Sequence, residues 1–202
     1  MNFYHDLIVK KSWDLLKSLK PKYEFVLIDG WAVYLYTKGL KSKDIDLILS
    51  FTELNKLKEE FEISKNERLR KYGARAGESE IDVYLPFYSN PGLPAEDLGN
   101  FAVNLEGFKV PQKEILAVLK QKALLERKES VKGRKDLIDL VSPFQLRGFN
   151  WQKYQQIIKR YQLENQLKLI AVIIGKTLKL EELDLNVHQM AALKREILSH
   201  LA

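Results

Sequence analysis

Ser42-Lys43-Asp44-Ile45-Asp46-Leu47-Ile48-Leu49-Ser50 reads as a short apolar strand with two carboxylates at its entrance. Side chains two apart on an extended chain share a face, so Asp44 and Asp46 project together while Ile45 and Leu47 project to the other side. Two carboxylates side by side repel. A divalent cation between them removes the repulsion, because hard ions such as Mg2+ take oxygen ligands and are usually held by one or two carboxylates plus substrate phosphates. On its own the tripeptide reads more readily as the solvated end of a strand, since most charged side chains lie at the surface.

Upstream, Tyr23 to Ile28 is a short apolar run whose β-branched and aromatic content favours a buried strand. Asp29-Gly30 then turns the chain, and Trp31 to Lys38 reads as a helix with Gly39 placed as its C-cap. Before these, Phe3 to Leu19 has the apolar spacing of a helix, ended by Pro21. Downstream, Thr52 is an N-cap candidate for a helix through Phe61, and a ribbon follows from about Ser64 to Arg75. In Glu80 to Leu85 apolar and polar residues alternate, which puts Asp82 on the polar side of a third apolar strand. Pro86, Pro91 and Pro94 mark an irregular loop beyond it.

From Pro111 the pattern turns helical. Ile115, Leu116, Leu119, Ala123 and Leu124 form a stripe, Lys132-Gly133 reads as a break before Asp136 to Val141, and Pro143 opens a mostly helical tail. Within that tail Leu167 to Ile174 is apolar enough for a buried helix. The expected architecture is α+β: a mixed sheet of about five strands with flanking helices in residues 1 to 110, and a helical C-terminal part in 111 to 202.

Composition narrows the chemistry. With 46% hydrophobic and 30% charged residues the chain is of globular type, and no stretch reaches the roughly 18 consecutive apolar residues of a membrane span. The N-terminus lacks a basic n-region and a long apolar h-region, so no secretory signal is expected and the expected compartment is the cytoplasm. The absence of cysteine excludes disulfides, thiolate zinc sites and cysteine nucleophiles. His5, His188 and His200 have no ligand-like spacing and read as surface or helix positions. The net charge of +6 is unevenly placed, with eight Lys or Arg against three Glu between Lys113 and Lys135. Such a stretch attracts phosphates, or is simply a solvated basic helix face.

Strand, glycine turn into a helix, Asp-x-Asp on the next strand, and a distant carboxylate on a later strand: this order resembles the DNA polymerase β-type nucleotidyltransferase superfamily. The matching positions are Asp29-Gly30, Asp44-Ile45-Asp46 and Asp82. Leu27 to Val33 followed by Ser42 to Asp46 is similar to the AbiEii/MenT-type group of prokaryotic nucleotidyltransferases, many of them toxins. Two further stretches resemble that group. Leu116 to Arg127 is similar to its Lys-x-x-Ala-x-x-x-Arg helix, and Arg134 to Asp139 to its Arg-Asp-x-x-Asp element. The resemblance spans about residues 24 to 141.

The resemblance implies a mainly antiparallel nucleotidyltransferase-type sheet and a Mg2+-dependent enzyme, with one or two ions, that moves a nucleoside monophosphate from an NTP. The implied acceptor is RNA, such as a tRNA 3′ end, or a protein hydroxyl, and an antitoxin protein is an implied partner. Asp44 and Asp46 would hold the metal, and Asp82 would complete the acceptor-side ion or help deprotonate the incoming hydroxyl. Gly30 lets the backbone approach phosphate at a helix N-terminus. Asp29 stands where the group usually has glycine. Ser42 matches a hydroxyl position, able to bond a phosphate or to receive a modifying group. Lys120, preferred over Lys122, matches the triphosphate-contacting lysine. Arg127, on the same helix face, would be a second phosphate ligand, Asp136 would orient the lysine or the base, and Asp139 reads as structural. Trp31 is either a base-facing ring or a packing residue. The C-terminal part would thus complete the nucleotide site. Two alternatives stand beside the enzyme: a non-catalytic nucleotide- or RNA-binding module of the same fold, favoured by Asp29, and a helical interaction protein using the apolar tail.

Overall fold

The computed structural model describes residues 2–127 and 130–201, with side chains from residue 6 onward. The chain divides into two compact units, Met1–Gln112 and Lys113–Ala202.

The first unit contains α1 (Asn2–Leu19), β1 (Phe25–Ile28), α2 (Asp29–Thr37), β2 (Ile45–Leu49), α3 (Phe51–Glu60), β3 (Ile63–Asn66), β4 (Lys71–Ala76), β5 (Ser79–Tyr84) and α4 (Ala95–Leu98). The hairpin β6 (Ala102–Leu105) and β7 (Phe108–Pro111) completes it. Its main sheet has the order β1-β2-β5-β4-β3, with β2 and β5 parallel and the other neighbours antiparallel. This is the expected mixed, mainly antiparallel sheet. Alternation divides its faces: Leu27, Ile45, Leu47, Ile81, Val83 and Ala74 are buried on one side, and the polar partners of the same strands lie on the other. Burial of such side chains contributes roughly 1.5–3 kcal/mol each, so this apolar face is what fixes the register.

Several local expectations are corrected. Strand β1 runs directly into α2, whose first residue is Asp29; no separate turn intervenes. Lys38, not Gly39, ends α2 in the left-handed conformation, at φ 54, with its N–H bonded to Tyr34 O at 2.8 Å. Ser50, not Thr52, caps α3 by accepting from Glu53 N–H at 3.1 Å. The β6–β7 hairpin was not legible. Its two turn residues, Glu106 and Gly107, both have positive φ, a geometry for which Asn-Gly or Asp-Gly is the sequence signal. Trp31 is a packing residue: it is buried, donates to Ser12 Oγ at 2.9 Å and lies 4.8 Å from the Trp13 ring.

The second unit is helical: α5 (Lys113–Arg127), α6 (Val131–Phe144), α7 (Trp151–Arg160), α8 (Glu164–Lys176) and α9 (Val187–Leu201). Lys132-Gly133 does not break the chain. Both lie in the first turn of α6, where Ser130 Oγ accepts from Gly133 N–H at 3.0 Å. Pro143 likewise sits in the last turn of α6 instead of opening the tail. Leu167 to Ile174 is half of an amphipathic helix, not a buried one: α8 buries Ile170 and Ile174 while Leu169 and Val172 are exposed. No described helix is long and apolar enough to cross a membrane.

Candidate functional site

One register row crosses all five strands of the main sheet. Ile28 pairs with Asp46, Asp46 with Asp82, Asp82 with Gly73, and Gly73 with Ser64. Paired residues share a face, and neighbouring strands lie about 4.8 Å apart, so the Asp46 and Asp82 side chains are immediate neighbours on the polar face. The apolar row beside it, Leu27, Leu47 and Val83, faces the other way.

Each member of the carboxylate row is held differently. Asp46 is buried in the strand that is buried along its whole length, and the Tyr84 hydroxyl donates to its Oδ1 at 3.4 Å. Asp82 is half-buried, and the Lys71 ammonium donates to its Oδ2 from the neighbouring strand. Asp44 stands one residue before β2, partly exposed, and Ser42 is buried two residues earlier. Gly30 is buried in the first turn of α2.

The N-terminus of α2 follows Ile28 and therefore begins beside Asp46. Residue 28 occupies the N-cap position and makes no side-chain cap, so the first turn of α2, with the positive end of the helix dipole, starts at the residue paired with Asp46. Asp29 explains its own departure from glycine. Its φ is 58, in the left-handed region that glycine adopts freely and that Asp tolerates better than most residues. Replacing Asp29 with Val should cost about 1–2 kcal/mol more than replacing it with Asn, because a β-branched residue fits that conformation worst. Urea midpoints of the two variants check this.

The sequence-predicted residues of the second unit form their own cluster. Lys120 is 1% exposed, and its Nζ lies 3.2 Å from Asp136 Oδ1 and 3.0 Å from Asp139 Oδ2. Arg127, half-exposed, donates to Asp136 Oδ2 at 3.1 Å. Two buried carboxylates thus share one buried ammonium, with a guanidinium on the outer side. Much of the basic stretch from 113 to 135 is likewise neutralised at home: Arg134 makes two hydrogen bonds of 2.9 Å to Glu182, and Lys122 lies 3.9 Å from Glu126. Lys128 and Glu129 of that stretch lie outside the described residues.

Sequence reasoning missed Lys71, Gly73 and Ser64 as members of the carboxylate face. The alternation of Glu80, Asp82 and Tyr84 already put Tyr84 on that face, but only the strand pairing brings it to Asp46.

The donor set suits a divalent cation of the Mg2+ type, since it is made of carboxylate oxygens. Among the described residues no three metal-ligating side chains form a ready-made cage.

No protein-family model and no curated protein matches the sequence. Solved structures do match the fold. JHP933 from Helicobacter pylori superposes with a TM-score of 0.55 over 96% of this chain and 93% of its own, at 14% identity. A proposed nucleotidyltransferase from H. pylori superposes with a TM-score of 0.52 over 96% and 95%, at 16% identity. The chain shares their fold. An antigenic nucleotidyltransferase-like protein from Paracoccidioides brasiliensis also matches, with a TM-score of 0.43, 15% identity and coverage of 83% and 92%.

Proposed function

We propose that this protein is a metal-dependent nucleotidyltransferase of the DNA polymerase β-type, moving a nucleoside monophosphate from an NTP to an acceptor hydroxyl. The observation that carries the reading is the register row. It sets two carboxylates from the parallel central strands β2 and β5 side by side, next to the N-terminus of α2. Asp46, with Asp44 at the strand entrance, would hold Mg2+, and Asp82 would complete an acceptor-side ion or take the acceptor proton. When bound, Mg2+ neutralises the charge that develops on the triphosphate during in-line displacement.

The chain's own residues then have distinct tasks. The first-turn amides of α2, with Gly30 allowing close approach, receive phosphate oxygens. Tyr84 orients the Asp46 carboxylate. The acceptor oxygen attacks the α-phosphorus and forms the new O–P bond, the bond from the α-phosphorus to the α–β bridging oxygen breaks, and pyrophosphate leaves with that electron pair. In the general-base form of this reading the hydroxyl proton passes to the Asp82 carboxylate, whose Oδ2 accepts from the Lys71 ammonium. Ser42, Lys120, Arg127 and Asp136 are proposed as further nucleotide-binding residues on the strength of the family resemblance. The AbiEii/MenT-like relationship, a toxin role with an antitoxin partner, and an RNA or protein acceptor belong to the same proposal.

A calorimetric titration with each NTP, in Mg2+ and in EDTA, tests the binding half of the reading. Binding should be strengthened by Mg2+ in the wild type and lose that dependence in Asp46→Asn. No NTP binding under any condition would sink the proposal. A non-catalytic binding module is the second reading, and the ion pair that occupies Asp82 favours it; Mg2+-dependent binding without transfer to any acceptor would decide for it.

A further inference from the structure

The two parallel central strands leave the sheet in step. Ile48 of β2 pairs with Tyr84 of β5, and three residues beyond each stands an exposed phenylalanine: Phe51, 54% exposed, opens α3, and Phe87, 82% exposed, lies in the loop after β5. This end of the parallel pair is the one away from the α2 N-terminus, because Ile28 pairs with Asp46 near the start of β2. Single exposed apolar side chains are common, so exposure alone assigns nothing. The backbone of Phe87 adds a second observation. Its φ is 60, in the left-handed region that a bulky aromatic residue rarely adopts.

The surrounding loop holds that conformation in place. Glu96 Oε2 accepts the Phe87 N–H at 2.8 Å, and Ser89 Oγ accepts from Leu85 N–H at 3.0 Å while donating to Arg70 O at 2.5 Å. The next ring, Tyr88, lies 5.8 Å from Tyr72, with Lys65 and Arg70 each 5.4 Å from its centroid. Strained backbone persists where its surroundings over-determine it, and such residues cluster at sites that engage another molecule. Here the strain displays a bare aromatic ring on an anchored loop. A partner that covers this ring loses little entropy in ordering it.

Charge selects what can cover the ring. From Lys65 to Arg70 the adjoining β3–β4 ribbon carries Lys65, Arg68 and Arg70 against Glu67, and Lys65 lies 2.9 Å from Glu67. Arg68 and Arg70 are exposed and make no ion pair among the described residues. We propose that Phe87, with Phe51 and the Arg68 and Arg70 guanidinium groups, is a docking surface for an acidic segment of a partner protein. An apolar side chain of that segment packs on Phe87, and carboxylates beside it meet the arginines. Aromatic residues and arginine are the types enriched at the centres of protein interfaces. A two-fold contact with a second copy would set these arginines against each other. A polynucleotide would bring phosphates against Glu67 and Glu96, which flank the same surface. The assignment does not depend on the nucleotidyl-transfer reading.

The probe is a displayed library of random linear peptides, selected on the whole protein. Selected peptides should share an aromatic or large aliphatic residue flanked by Asp or Glu. A fluorescein-labelled synthetic copy of one is then read by anisotropy. Phe87→Asn should weaken its binding at least about tenfold, the scale of an interface hot spot. Arg68→Glu with Arg70→Glu should do the same and flatten the salt dependence. Val187→Ala, which trims an exposed apolar residue of α9, should leave binding unchanged. Phe87→Asn should also raise the urea midpoint, because Asn adopts the left-handed conformation more readily. A lowered midpoint would make the ring a folding element and overturn the assignment. Failure to enrich any peptide, enriched peptides without the acidic and apolar pattern, or binding indifferent to either variant would overturn it as well. So would single-stranded RNA that displaces the peptide and itself needs Phe87, which gives the face to nucleic acid. Self-association seen by sedimentation and lost in Phe87→Asn would give it to a second copy.

Discussion

Lys120→Met should destabilise the second unit by about 3–5 kcal/mol, because it removes the ammonium shared by two buried carboxylates. The Asp136, Asp139 and Lys120 side chains are all nearly solvent-free, and Arg127 also donates to Asp136. Adding Asp139→Asn to Lys120→Met should therefore recover a good part of the stability, whereas Arg127→Met, on a half-exposed side chain, should cost far less. Chemical denaturation followed by tryptophan fluorescence and circular dichroism reads the three variants, with both probes compared because two units need not unfold as one. Measuring NTP affinity on the same proteins separates the structural role of Lys120 from the triphosphate role: a variant that stays folded under the assay conditions and yet loses NTP affinity supports the latter.

The carboxylates of the first unit should divide by function. Asp46→Asn should lower transfer roughly a thousandfold, since a lost metal clamp is worth several kcal/mol and each 1.4 kcal/mol is a factor of ten. It should also abolish the Mg2+ dependence of NTP binding. Asp82→Asn should reduce transfer by about 10²–10⁴, the usual range for a general base, while NTP binding stays within a few-fold. The split follows from where each sits in the row: Asp46 lies beside the α2 N-terminus, whereas Asp82, one strand further along, borders a cavity lined by β3, β4 and β5. Lys71→Met should lower transfer less than either, because it removes a hydrogen bond to Asp82 but no carboxylate.

How much of this was readable in the residues depends on whether the deciding interaction is local. The Asp44-x-Asp46 spacing and the alternation around Asp82 are properties of single strands, and period-two alternation reports them directly. The adjacency of β2 and β5 is not local: α3 and the β3–β4 ribbon intervene, and only the parallel register turns two separate acidic strands into one row. Lys71 was missed because its partner Asp82 lies on the next strand of the β4–β5 hairpin, and the alternation of β5 alone does not give that register. Caps were misplaced by one or two residues because neighbouring candidates compete; Ser50 and Thr52 both have a hydroxyl, and only Ser50 meets the Glu53 amide. The charge count from 113 to 135 overstated the local excess. Asp136, Asp139 and Glu182, which neutralise part of it, lie beyond its end and were outside the count, while the denser cationic ribbon from 65 to 75 sat in a segment with no strong pattern.

The central claim, that the carboxylate row transfers nucleotides, is tested most directly by incubating the protein with each α-labelled NTP, Mg2+ and total RNA or total protein, beside Asp44→Ala with Asp46→Ala. The account predicts Mg2+-dependent label on an acceptor for at least one NTP, abolished by EDTA and in the double variant. Label transfer that survives loss of both carboxylates, or none with any NTP and either acceptor pool, would contradict it.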